Sequence, residues 1–166
     1  MTENNEFGGL VRGIVIDNDD PKKLGRLKIK IQSAYGSQPV DNLPWAWPCF
    51  SYGGMPEMCA YIVPEKGAGV WVMFQNKDGQ PDTTYPVWIG TWQAEKEVPA
   101  EIGDKAYEYK EFKTKSGHYM LFCDKEGEEF VRIQDKNGSY IFMKDGNVEI
   151  HAAKNMKLTA TRIDLN

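Results

Sequence analysis

Histidine, cysteine and long apolar runs are all scarce in this chain, and each scarcity removes a class of function. The two histidines, His118 and His151, are too sparse a supply for a Ser-His-acid arrangement. Cysteine occurs three times, as Cys49, Cys59 and Cys123, an odd number without a C-x-x-C pair. That argues against a disulfide framework or a zinc ribbon and leaves reduced, buried thiols as the plain reading. No apolar run approaches the roughly 18 residues of a transmembrane helix. Lys and Arg form no block, and 24 acids against 20 Lys plus Arg give a net charge of -4, which disfavours general affinity for nucleic acid. The opening Met-Thr-Glu-Asn-Asn-Glu-Phe is acidic and polar where a signal peptide is basic and then apolar, so synthesis in a cytoplasm without a signal peptide is expected.

What is present is ordinary for a folded protein: 41% hydrophobic and 27% charged residues over 166 positions, enough for one large or two small domains. The chain has two grammars. From Gly9 to Trp92 it reads as strands between turns. Leu10 to Ile16 is a β-rich run ended by Asp17-Asn18-Asp19-Asp20-Pro21, and Arg26 to Gln32 alternates Leu27, Ile29 and Ile31 with Arg26, Lys28 and Lys30. Val70-Trp71-Val72-Met73-Phe74 and Pro86-Val87-Trp88-Ile89-Gly90 are short apolar strands around a turn at residues 76–82. No helical period is evident, so a small all-β barrel or sandwich is predicted. Residues 93–113, rich in Glu and Lys, read as a linker, with a short helical turn near Glu101 left open.

From Ser116 onward turn residues recur at Gly117, Gly127, Gly138, Gly146 and Asn155, spaced 10, 11, 8 and 9, which marks a series of short strands. Ile141 and Met143, then Val148, Ile150 and Ala152, then Met156, Leu158 and Ala160 occupy one phase; Glu149, His151, Lys157 and Thr159 occupy the other. A slip at Thr161-Arg162 returns Ile163 and Leu165 to the first phase. About 50 residues of strands with one apolar face cannot close a core alone and need partners. Identical copies around an axis are the simplest, with a meander packed on the first domain as the other possibility.

Candidate chemistry is thin. Asp17-Asn18-Asp19 opens like a calcium loop, but Pro21 stands where the fifth ligand belongs. Gly67-Ala68-Gly69 precedes a strand, whereas phosphate loops follow one, so it reads as a barrel turn. Glu128-Glu129 reads as a solvated strand start, and no acid has the apolar setting that paired-carboxylate catalysis requires. No catalytic residue, cofactor site or metal ligand is therefore assigned. Trp45-Ala46-Trp47, with Phe50, Tyr52 and Tyr61, either builds the barrel core and a subunit contact or offers a stacking platform for bases or sugars.

Taken in order, these segments resemble a known family. Leu10 to Pro21, Leu24-Gly25-Arg26-Leu27-Lys28-Ile29 and Leu43-Pro44-Trp45-Ala46-Trp47-Pro48 are similar to the N-terminal OB domain of tailed-phage baseplate spikes and VgrG proteins. Val63-Pro64-Glu65-Lys66-Gly67-Ala68-Gly69-Val70-Trp71-Val72-Met73-Phe74 and Tyr85-Pro86-Val87-Trp88-Ile89-Gly90 fit the same pattern, and Ser116-Gly117-His118 with Gly127-Glu128 resembles the start of the family's triple-stranded β-helix.

The resemblance implies an all-β chain with an arm at 1–8, an OB-fold barrel at 9–92, a linker at 93–113 and an intertwined trimeric β-helix needle at 114–166. It implies a homotrimer mounted on a baseplate hub protein at the OB end, located in a virion tail baseplate or injection particle and made in a bacterial cytoplasm. The needle core would be Ile141, Met143, Val148, Ile150, Met156, Leu158, Ile163 and Leu165. Arg162, Ile163, Asp164, Leu165 and Asn166 would contact a PAAR-like tip protein, and the target membrane would be touched only transiently. Only residues 93–111 separate Trp92 from Phe112, leaving no room for the lysozyme domain some members carry. His151 stands alone where others end in His-x-His, and its phase points it outward, so no metal site carries over. The competing classes are an OB-type module binding single-stranded nucleic acid or glycan through Trp45 and Trp47, and a small hydrolase.

Overall fold

Alternation in the first half of the chain closes into a barrel, and alternation in the second half opens into an antiparallel meander. The computed structural model describes residues 7–102 and 105–164, in two units, residues 1–95 and 96–166. The first unit is a closed barrel of β1 (Val11–Asp17), β2 (Leu27–Lys30), β3 (Trp45–Pro48), β4 (Gly69–Lys77) and β5 (Gln80–Trp92), in the order β1-β2-β3-β5-β4. All pairs are antiparallel except β3 with β5, where Trp47 lies opposite Val87. A single α-helical turn, α1 (Gln32–Tyr35), follows β2.

Every second side chain fills the barrel. Val15, Leu27, Ile29, Ala46, Val70, Val72 and Trp88 are buried, and Tyr35 and Phe74 close one side with their rings edge to face. Burial of such aliphatic side chains contributes roughly 1.5–3 kcal/mol each. Two glycines of the quoted segments are fixed by space. A Cβ on Gly13 would lie 2.3 Å from Ile29, and one on Gly25, at φ +75°, would lie 2.7 Å from Phe50. Gly25 also accepts a hydrogen bond from the Trp88 indole at 3.0 Å, which ties the β1–β2 loop to the core.

That loop is organised by one carboxylate. Asp20 accepts backbone N–H bonds from Lys22, Leu24 and Arg26 and is clamped by the Arg26 guanidinium, both side chains being more than nine-tenths buried. The clamp holds the Asp20 carboxyl well below the usual carboxylate range. Asp17, the first acid of the stretch that opens like a calcium loop, pairs with Lys66 at 2.7 Å. Gly67 and Ala68 exchange backbone hydrogen bonds with Val15, the barrel-turn role read for them. The turn between β4 and β5 tightens to Asp78-Gly79, both at positive φ, as a two-residue hairpin requires.

The second unit is a five-stranded antiparallel meander in the order β10-β9-β8-β7-β6. Its strands are β6 (Tyr109–Lys113), β7 (Tyr119–Cys123), β8 (Phe130–Gln134), β9 (Tyr140–Lys144) and β10 (Asn147–His151). One boundary needs correction, and one expected run of strands is not formed within the single chain. Tyr109–Lys113, read as the end of the linker, is a full strand paired with β7 and preceded by a 3-10 turn at Ala106–Glu108, while near Glu101 there is a single turn in which the Ile102 N–H donates to the Pro99 carbonyl at 3.1 Å. Among the described residues no strand follows His151, so Met156, Leu158 and Ile163 are exposed and outside any sheet, while Leu165 and Asn166 lie outside the described residues. The physical reason is that a strand needs an edge to bond to, and the turn after β10 does not return residues 152–164 to its free edge.

Removing the loop clamp tests this account of the barrel. Arg26→Ala leaves a buried carboxylate and is expected to cost about 3–5 kcal/mol in urea unfolding at neutral pH. Because Asp20 has a lowered pKa, its contribution is complete above its ordinary 3.8 and is lost as pH falls below it. Asp20→Asn should therefore flatten the acid limb of stability; an unchanged limb would mean that the clamp contributes nothing.

Candidate functional site

The meander separates its side chains by phase, and the register of five strands converts that phase into two unlike faces. On one face lie two rows. Lys110, Phe122, Val131, Met143 and Val148 form the first, and Phe112, Met120, Ile133, Ile141 and Ile150 the second, so nine of ten positions are apolar. Among the described residues nothing covers this face: Val148 and Ile150 are 64% and 60% exposed, and Phe112, Met120, Phe122, Ile133 and Ile141 are exposed as well. Contiguous apolar patches above roughly a few hundred Å² are uncommon on proteins that act alone and mark surfaces of association.

The opposite face is polar and aromatic. Arg132 lies with its guanidinium 4.4 Å from the Tyr140 ring centroid and donates to Gln134 at 2.8 Å; the Tyr119 hydroxyl donates to the same oxygen at 3.0 Å. His151 stacks on Tyr140 with centroids 5.0 Å apart, and the Tyr140 hydroxyl donates to Glu149, which with burial pushes its pKa up. His118 accepts from the Lys136 backbone N–H at 3.3 Å and belongs to the turn after β6. The histidines are thus committed to packing and turn contacts. Among the described residues no three His, Cys, Asp or Glu side chains gather into a group that would hold a metal ion.

The structure brings Ile141, Met143, Val148 and Ile150 together on the apolar face, opposite to Glu149 and His151. It does not add Met156, Leu158 or Ile163 to that face, and Arg162 pairs with Asp164 at 2.9 Å on the exposed terminal segment. Glu128 pairs with Lys125 in the turn ahead of β8. Sequence reasoning missed Phe112, Met120, Phe122, Val131 and Ile133 as members of the face. The alternation of Val131 and Ile133 with Arg132 and Gln134 was a usable signal, whereas Tyr119-Met120-Leu121-Phe122-Cys123 is apolar in both phases and carries none.

Trp45 and Trp47 stand on the outside of the barrel, not in its core, with Trp47 46% exposed; Trp88 is the core tryptophan. The cations beside them are engaged. Arg26, 5.4 Å and 5.6 Å from the two rings, is held by Asp20, and Lys28 donates to the Val40 and Asp41 carbonyls at 2.8 and 3.1 Å. Of the exposed thiols Cys49 and Cys59 and buried Cys123, none forms a disulfide.

A five-stranded closed barrel with this glycine and tryptophan framework is an OB-type domain. Residues 11–92, just under half of the chain, match the family of the type VI secretion system/phage-baseplate injector OB domain. No curated protein matches the chain. The family is a structural one of baseplates and injectors, which supports a structural role in such a particle, in line with the resemblance to baseplate spikes. Among the described residues no helix is long and apolar enough to cross a membrane.

One buried group on the polar face is unsatisfied. Both carboxylate oxygens of Glu111 are removed from solvent and have no hydrogen-bond partner, and burial, then the Glu101 charge, push its pKa up against the opposing effect of Lys113. A raised acid pKa makes the folded state hold the proton more tightly, so stability falls as pH rises from the ordinary 4.5 through the raised value. Glu111→Gln should remove that fall and add about 1 kcal/mol at pH 7 in urea unfolding of the full chain. A loss of stability in the variant at pH 7 would show that the carboxylate is paired.

Proposed function

We propose that the chain is a non-enzymatic spike at the centre of a contractile tail baseplate or related injection particle. In this reading it is a homotrimer, mounted on the hub at its OB end, whose C-terminal strands form a puncturing needle driven through the target envelope by sheath contraction. The observation that carries it is the uncovered apolar face of the meander, joined in one chain to an injector OB domain. Three copies turning that face toward a common axis would bury nine apolar side chains from each. Completing the burial of half-exposed side chains contributes about 1 kcal/mol apiece, a strong drive to association.

The segment past β10 supports the same arrangement. Met156, Leu158 and Ile163 keep the strand-like spacing of their neighbours but have no edge of their own chain to pair with. Edges of adjacent copies would supply one, completing the expected core with Leu165. Residues 162–166 would then be the segment that meets a PAAR-type tip protein. A shared needle of short strands resists axial load because each chain can leave only by breaking contacts with two others. The function requires no catalytic group, cofactor or metal.

The test uses the two phases of β10. Ile150→Asp would bring three carboxylates to the shared face, and burying unpaired charge is strongly destabilising, so trimers should dissociate and particles carrying the variant should contract without permeabilising target cells. Glu149→Lys, on the other face, should leave trimer and permeabilisation intact. Equal behaviour of both variants, by native mass spectrometry and by dye entry into target cells, would contradict the proposed needle.

A further inference from the structure

A second surface has the marks of an interface, and it lies on the barrel. The outward row across β3, β5 and β4 is Trp47, Val87 and Met73, set directly opposite one another by register. Two residues back along β4 on the same face is Trp71, which lies opposite Arg12 of β1. The exposed Arg12 guanidinium lies 5.2 Å from the ring centroids of both Trp71 and Trp92. Trp47 and Met73 are 46% and 43% exposed. The barrel interior is already filled, so these side chains do no work in its core.

Charge decides what this face fits. None of the six positions is acidic, in a chain of net charge -4. Among the described ion pairs Arg12 has none, its charge being met only by ring faces. A planar cation held between two indoles is pre-positioned for a carboxylate, and Trp and Arg around an apolar centre are the composition of interface hot spots. Single-stranded nucleic acid is the less favoured occupant, because it needs several free cations beside the rings, and Arg26 and Lys28 are spent within the fold.

We infer that the Trp47–Val87–Met73 row, with Arg12 between Trp71 and Trp92, is the surface by which the barrel docks on the hub, and that the hub presents there an apolar patch bearing a carboxylate for Arg12. This rests on the mounting role proposed above and assigns to it a face and a chemistry.

The experiment is titration calorimetry of the full chain with the purified hub protein of the same particle, at low and high salt. Arg12→Glu should weaken binding at least about tenfold, with Arg12→Lys between the two, while far-UV circular dichroism and solution mass stay unchanged. Wild-type binding that the variants leave intact overturns the assignment of the face and leaves the mounting role standing. No binding by the wild type contradicts the mounting role itself and the inference with it. If Arg12→Glu instead changes the solution mass, or abolishes binding of an oligothymidine that the wild type holds, the face serves a second copy or a nucleic acid and the inference is overturned.

Discussion

A five-stranded sheet that is apolar on one face has to have that face covered, and none of the described residues covers it. This constraint governs the C-terminal half. The strands are five residues each, joined by tight turns, and cannot curl around a core of their own. Their opposite face is finished within the chain: Arg132 is sandwiched over Tyr140, the Tyr140 hydroxyl is bonded to Glu149, and Leu121 and Cys123 are buried. The asymmetry is chemical. One face satisfies its polar groups internally, Glu111 excepted, and the other, Lys110 apart, offers side chains that gain by leaving water.

The barrel solves its own problem by closure, which removes every sheet edge and fills the inside with aliphatic side chains and one tryptophan. Its loop between β1 and β2 is long and polar, yet held by one buried ion pair whose carboxylate also satisfies three backbone N–H groups. Such a node fixes loop geometry without a regular element. It also withdraws Arg26 from the tryptophans outside it. What remains for a partner is therefore apolar surface and Arg12, which suits a protein better than a polyanion.

Much of this was legible in the residues. Alternation at Leu27, Ile29 and Ile31 located a barrel strand, and Asp145-Gly146 located a hairpin whose two residues both take positive φ. Gly13 and Gly25 stood out as part of a pattern, though only packing shows that a Cβ would meet Ile29 or Phe50. Strand β6 was hidden because Tyr109-Lys110-Glu111-Phe112-Lys113 puts polar residues in both phases, one of them a buried acid that no local rule anticipates. The outward placement of Trp45 and Trp47 was equally hidden, since barrel inside and outside share a period and only the pairing of β3 with β2 and β5 sets the phase. Strand-like spacing beyond His151 did not become strand, because pairing is non-local and the chain offers that segment no edge.

If copies of this chain cover one another's apolar faces, light scattering on the purified 18.9 kDa chain will give a mass three times that of the chain, persisting in mild detergent. A monomer with a folded C-terminal sheet would contradict this mutual covering.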